Sequence, residues 1–135
     1  MWNIYKEKSS DLSFVIYCLF DSAISNKEFQ LWVERVIDGT NFDDIPMYMF
    51  DLVTFDDYPS ELTEIIGFVP HSELNDKEED AILGIAFLRG IDVYDPRISK
   101  EEAIKRLRDN PHIYEKYKHF FPFIELPELN ADISV

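Results

Sequence analysis

Cysteine is scarce in this sequence, since Cys18 is the only one among 135 residues. An internal disulfide is therefore impossible, which excludes the small secreted scaffolds that disulfides hold together. No apolar run approaches the ~20 residues of a membrane-spanning helix. The apolar run over residues 14–20 follows Glu7 and Asp11, whereas a secretory signal requires a positively charged segment before its apolar core. We expect a cytoplasmic protein in which Cys18 is a reduced, buried thiol.

Positive charge is also scarce, because 13 Lys and Arg stand against 27 Asp and Glu, for a net charge of −14. This balance disfavours direct binding to nucleic acid, which relies on cationic contacts to phosphate, and to anionic membrane surfaces. No catalytic motif or spaced set of metal ligands is present, and the carboxylates are too numerous for one catalytic pair to stand out. We therefore expect no enzymatic activity, no cofactor and no metal site. The hydrophobic content of 46% argues against disorder and for a folded core.

Periodicity and capping residues predict a mostly helical fold. The clearest helix begins after Ser25 and ends at Gly39, with apolar residues at helical spacing between them. The segment from Leu12 to about Ala23, capped by Ser10 or Asp11, is apolar nearly all round. A buried helix is favoured there, but a strand over residues 14–17 stays open because periodicity does not decide between them.

Five further helices follow from local signals. A third helix is predicted to start at Asp43 or Asp44 with Pro46 in its first turn and with Met47, Phe50 and Val53-Thr54 facing inward. Two more helices are expected over Ser60–Ile66 and Asp76–Arg89, and Ala81–Leu88 in the second of these is predicted to be the central core helix. The last two helices are expected to start after a capping box of Ser99 and Glu102 and after Asn110-Pro111. A tail from Pro122 is expected to be extended. We interpret residues 1–135 as one compact multi-helix domain.

The negative charge is concentrated in one region. Residues 38–80 contain 13 acidic residues and a single cation, Lys77, for a regional charge of −12. Helix capping explains some of these carboxylates, namely those at Asp43, Asp44, Asp76, Glu78 and Glu79. On helical spacing, Asp57, Glu61 and Glu64 form one stripe of like charge, which slightly destabilises the free protein. An intermolecular role is favoured over a merely solvated face.

Aromatic residues are interleaved with these acids, as at protein interfaces, where aromatic anchors lie inside a charged rim. Tyr48, Phe55 and Tyr58 lie among Asp51, Asp56 and Asp57, and Phe55 is the one that we expect in the core. The predicted partner-binding residues are Asp43, Asp44, Tyr48, Asp51, Asp56, Asp57, Tyr58, Glu61, Glu64 and Glu73.

The size of the chain and its acidic segment over residues 38–80 resemble those of bacterial immunity proteins that neutralise nuclease toxins, in particular the contact-dependent growth inhibition type. The segment from Ile85 to Arg97, together with residues 99–103, resembles a signature of a bacterial protein family, but no defined function is attached to this signature. The resemblance implies an antitoxin that binds one cationic toxin domain of its own bacterium, one to one, and blocks its active cleft. The alternatives are an acidic adaptor, or a nucleic-acid-mimicking regulator of another basic protein, and a carboxylate enzyme.

Overall fold

A computed structural model of the chain describes residues 1–132. These residues contain seven α-helices and no strand. The helices are α1 (Ser10–Phe20), α2 (Asn26–Asp38), α3 (Met47–Leu52), α4 (Leu62–Ile66), α5 (Asp76–Leu88), α6 (Lys100–Asp109) and α7 (Pro111–Phe120). Short 3₁₀-helices precede α3 and α4, over Phe42–Asp44 and Pro59–Glu61. The predicted mostly helical fold is confirmed, and the open question at residues 14–20 resolves as helix.

Contacts within the chain gather into two compact units. The first unit comprises Met1–Leu19 and Ser25–Glu73, and the second comprises Phe20–Ile24 and the chain from Leu74 onward. That residues 1–135 form one domain stays a prediction, and residues 133–135 lie outside the described residues.

Capping side chains set the helix starts that the sequence predicts. The Ser25 hydroxyl accepts the Glu28 N–H and the Glu28 carboxylate accepts the Ser25 N–H, which together form a capping box at the start of α2. Asn75 and Glu78 form the same reciprocal pair at the start of α5. Gly67, with φ of 89°, ends α4 in the left-handed conformation that glycine adopts without strain.

Three predicted helices need correction. The helix expected over Ser60–Ile66 is α-helical only from Leu62, after the 3₁₀-helix Pro59–Glu61. Helix α1 begins at Ser10 and ends at Phe20, not at Ala23. Helix α3 starts after Pro46, and its buried residues are Met49 and Leu52, so the prediction that Met47 and Phe50 face inward is wrong. The run Met47–Leu52 is apolar at five of six positions, and its two possible inward faces are therefore equally apolar in sequence.

The first unit has a core of aromatic and aliphatic side chains. Phe29 and Trp32 of α2 are fully buried, and the rings of Phe29 and Phe55 meet edge to face with centroids 5.8 Å apart. Cys18 is buried, as predicted, on the part of α1 that belongs to this unit. The hydroxyl of the buried Ser9 has a hydrogen-bond partner in the same unit, because it accepts the His71 N–H at 2.8 Å.

Helix α5 lies in the second unit, and the predicted burial of its segment Ala81–Leu88 is confirmed. Every residue from Ala81 to Leu88 is buried except Phe87, which is half-buried. Gly84 allows a close approach of α6, because a Cβ at this position would lie 2.3 Å from the carbonyl oxygen of Ala103. The chain after α7 was predicted to be extended, but up to residue 132 it contains turns over residues 122–124 and 129–130. The Tyr114 hydroxyl donates to the carbonyl of Pro127 between these turns at 2.8 Å.

Candidate protein-binding surface

The charge of the first unit comes from one continuous segment. Residues 38–73 contain nine Asp and Glu and no Lys or Arg, whereas the remainder of the unit contains four of each sign. The formal charge of this unit is therefore −9, and all of it belongs to the segment that contains the predicted partner-binding residues.

The eight predicted carboxylates in this segment are all exposed to solvent, and we call them the acidic surface. They are Asp43, Asp44, Asp51, Asp56, Asp57, Glu61, Glu64 and Glu73. Exposure leaves these groups accessible to a partner and keeps their mutual repulsion modest, because water screens exposed charges.

Helix α2 holds the loop that carries part of the acidic surface. The Asn26 amide donates to the carboxylate of Asp56 at 3.3 Å and to the carbonyl of Asp57 at 3.1 Å. The Asp57 carboxylate accepts the N–H of Tyr58 at 2.8 Å. Because the following 3₁₀-helix begins only at Pro59, Asp57 lies outside it. The predicted single helical stripe of Asp57, Glu61 and Glu64 is therefore wrong in its geometry, although all three side chains are exposed.

The three interleaved aromatic residues have different environments. Tyr58 is 76% exposed, whereas Phe55 is 4% exposed and belongs to the core, as expected. The Gln30 amide donates to the Phe55 carbonyl at 2.6 Å, and with the bond from Asn26 to the Asp57 carbonyl it holds the backbone on the N-terminal side of Tyr58. Tyr58 thus presents an amphipathic ring to solvent from a loop with a defined backbone.

Tyr48 is half-buried and has partners inside its own unit. Its hydroxyl donates to the carbonyl of Ile4, and its ring meets the Phe68 ring edge to face with centroids 5.7 Å apart. Burial raises the pKa of the Tyr48 hydroxyl to about 12, with smaller contributions from Tyr5 and Glu7. These contacts tie the N-terminal segment to α3, and a contact of Tyr48 with a partner stays a prediction.

Exposed apolar residues lie beside the acids in the chain, and the sequence did not indicate their exposure. Phe42 and Met47 are 77% and 79% exposed, and the Phe50 ring lies with its centroid 6.0 Å from that of Phe42. Sequence alone gave little signal for them, since Phe42 lies in a short 3₁₀-helix and α3 is apolar on more than one face.

Two acids of residues 74–80, Glu78 and Asp80, differ from the acidic surface because their carboxylates have partners within the second unit. Arg97 donates to both carboxylate oxygens of Asp21, the nearer at 2.8 Å, and to Asp80 at 3.0 Å. Burial raises the pKa of Asp21, against the opposing effect of Arg97. The hydrogen bond from the Asn75 N–H and the contact with His112, at 2.5 Å, lower the pKa of Glu78.

Comparison with known proteins identified no relative. No protein-family model matches the chain, and neither a curated protein nor a solved structure matches it. Within residues 1–132, no group of three or more His, Cys, Asp or Glu is placed to hold a metal ion. No helix in the same part of the chain is long and apolar enough to cross a membrane.

Proposed function

We propose that this chain is an acidic immunity protein that binds and occludes the cationic, nucleic-acid-cleaving domain of a toxin made by its own bacterium, in the cytoplasm. One observation carries the proposal: the acidic surface is exposed on a segment of 36 residues without a single Lys or Arg. A mixed surface would supply solubility equally well, so solubility does not account for this segregation of charge.

The second unit supports the same interpretation by contrast, because two of its arginines form ion pairs with carboxylates of the same unit. There, Arg97 and Arg106 are paired with carboxylates, including the 3.0 Å pair of Arg106 with Glu102. Residues 38–73 themselves supply no cation to the acidic surface, and a partner of opposite charge would relieve the repulsion among its carboxylates.

A nuclease is a partner with the required chemistry. Its cleft must be cationic to hold the phosphates of its substrate, and an acidic protein surface placed over that cleft excludes the nucleic acid. Opposite charges also steer association toward about 10⁸–10⁹ M⁻¹s⁻¹ at low salt, a rate suited to the neutralisation of a lethal enzyme. The toxin class and the one-to-one stoichiometry rest on the resemblance in size and charge to immunity proteins of the contact-dependent growth inhibition type.

Affinity capture followed by a cleavage assay tests the proposal. The chain is immobilised, exposed to lysate of its native host at low salt, and eluted with increasing salt. We expect to recover a basic protein with a nuclease domain, whose cleavage of nucleic acid stops when one equivalent of the chain is added. A basic partner that is not a toxin would favour the adaptor alternative, and nuclease activity that survives an excess of the chain would refute occlusion.

A further inference from the structure

Phe42, Met47 and Phe50 form an exposed apolar patch on the first unit. The Phe42 and Phe50 rings are neighbours, with centroids 6.0 Å apart and an interplanar angle of 47°. Met47 lies three residues before Phe50 on α3, so the two side chains share a face of the helix. The opposite face of α3 is buried through Met49 and Leu52, which leaves this patch without a place in the core of its own unit.

The apolar patch lies within the acidic surface. Asp43 and Asp44 follow Phe42 directly in the 3₁₀-helix, and Asp51 follows Phe50 on α3. All three carboxylates are exposed. Large apolar side chains that are grouped together and surrounded by polar groups mark interaction sites on protein surfaces, because water contact with them is unfavourable.

We propose that this patch is the anchor of the interface, entering an apolar depression on a protein surface that is surrounded by Lys and Arg. The proposal rests on the proposed function, and it adds the residues that slow dissociation. The charge of the surrounding carboxylates selects this occupant. A second copy of the chain would bring two sets of acidic residues together, and an anionic lipid surface would repel them.

Two synthetic peptides of equal positive charge test the patch by isothermal titration. One is a lysine homopolymer, which offers charge alone, and the other is an amphipathic helix of Lys and Leu, which adds an apolar face. The protein variants are Phe42→Ser/Met47→Ser, the charge reversal Asp51→Lys/Glu61→Lys/Glu64→Lys, and Tyr94→Ser. Tyr94 is a control because it is 96% exposed and lies in the second unit.

We expect the unmodified chain to bind the Lys/Leu peptide at least tenfold more tightly than the homopolymer. The patch variant should lose this preference and keep its affinity for the homopolymer, whereas Tyr94→Ser should change neither affinity. An unchanged preference in the patch variant would overturn the anchor and leave the proposed function intact. If the charge-reversed variant binds both peptides as tightly as the unmodified chain does, the claim that the acidic surface binds cationic partners is refuted. If analytical ultracentrifugation shows that the unmodified chain is a dimer and that the patch variant is a monomer, the patch serves self-association and the proposed anchor is overturned.

Discussion

Replacement of Gly84 by alanine tests how closely α5 and α6 pack in the second unit. A Cβ at this position would lie 2.3 Å from the carbonyl oxygen of Ala103 and 2.9 Å from the Cβ of Leu107. The first of these atoms belongs to the backbone of α6, so no side-chain rotation relieves the overlap. The two helices would have to move apart.

The magnitude follows from two opposing effects. Alanine favours the helix over glycine by about 1 kcal/mol in free energy. Overpacking of a core costs about 1–3 kcal/mol, and we take the upper end because a backbone atom is the obstacle. The free energy of unfolding should therefore fall by about 2 kcal/mol in Gly84→Ala, although the same change at an exposed helical site would raise it.

Urea denaturation followed by far-ultraviolet circular dichroism measures this change, with Gly39→Ala as the matched control. Gly39 has φ of −94°, and a Cβ there would lie 3.4 Å from the carbonyl oxygen of Arg35, which is an ordinary contact. The control should change stability by less than about 0.5 kcal/mol. A Gly84→Ala variant as stable as the unmodified protein would refute the close packing of α5 against α6.

Three further predictions concern the cores and one helix start. Ile85→Asp should prevent folding because it places an unpaired charge at a fully buried position, and a cooperative unfolding transition in this variant would remove Ile85 from the core. Cys18→Ala should lower the free energy of unfolding by about 1–2 kcal/mol, and the native thiol should react slowly with a labelling reagent, since Cys18 is buried; rapid labelling would contradict this. Glu78 has a pKa below its ordinary value in the folded protein, so its ionised form contributes stability that is present above pH 4.5 and is lost as the pH falls through the folded pKa. Glu78→Gln should therefore be less stable than the unmodified protein at pH 7 and equally stable in acid, as urea titrations across pH would show, whereas a difference that persists in acid would contradict this role.

Three helix boundaries were predictable because their signals are local. Ser25, Asn110-Pro111 and Gly67 each act through residues within a few positions of themselves, and the structure places a helix boundary at each. The burial of Ala81–Leu88 was equally predictable, since a segment without a polar face has no side to present to water.

The orientation of α3 and the environment of Tyr48 were not predictable from local signals. Met47 and Phe50 are as apolar as Met49 and Leu52, so only the tertiary packing of the unit decides which pair is buried. The Tyr48 hydroxyl bonds to a carbonyl 44 residues away along the chain, a contact that no local pattern encodes. For the same reason the sequence indicated the acidic surface by composition but did not indicate the apolar patch.

The central claim is that the acidic surface, and not the overall negative charge, binds a cationic partner. It is tested by association rates with the nuclease domain recovered by capture, measured by stopped flow at several salt concentrations. One variant reverses Asp51, Glu61 and Glu64 to lysine, and Asp57 is left unchanged because its carboxylate accepts the Tyr58 N–H. The control reverses three exposed carboxylates of the second unit by the same total charge, those of Asp92, Glu115 and Glu125.

We predict that reversal on the acidic surface slows association about tenfold or more at low salt, with the loss shrinking as salt rises, because the Debye length is only ~8 Å at 0.15 M. The control should retain nearly the full association rate, and both variants should keep the urea midpoint of the unmodified protein. Equal slowing by the two variants would show that net charge alone drives association, and an unchanged rate in the first variant would contradict the account of the acidic surface.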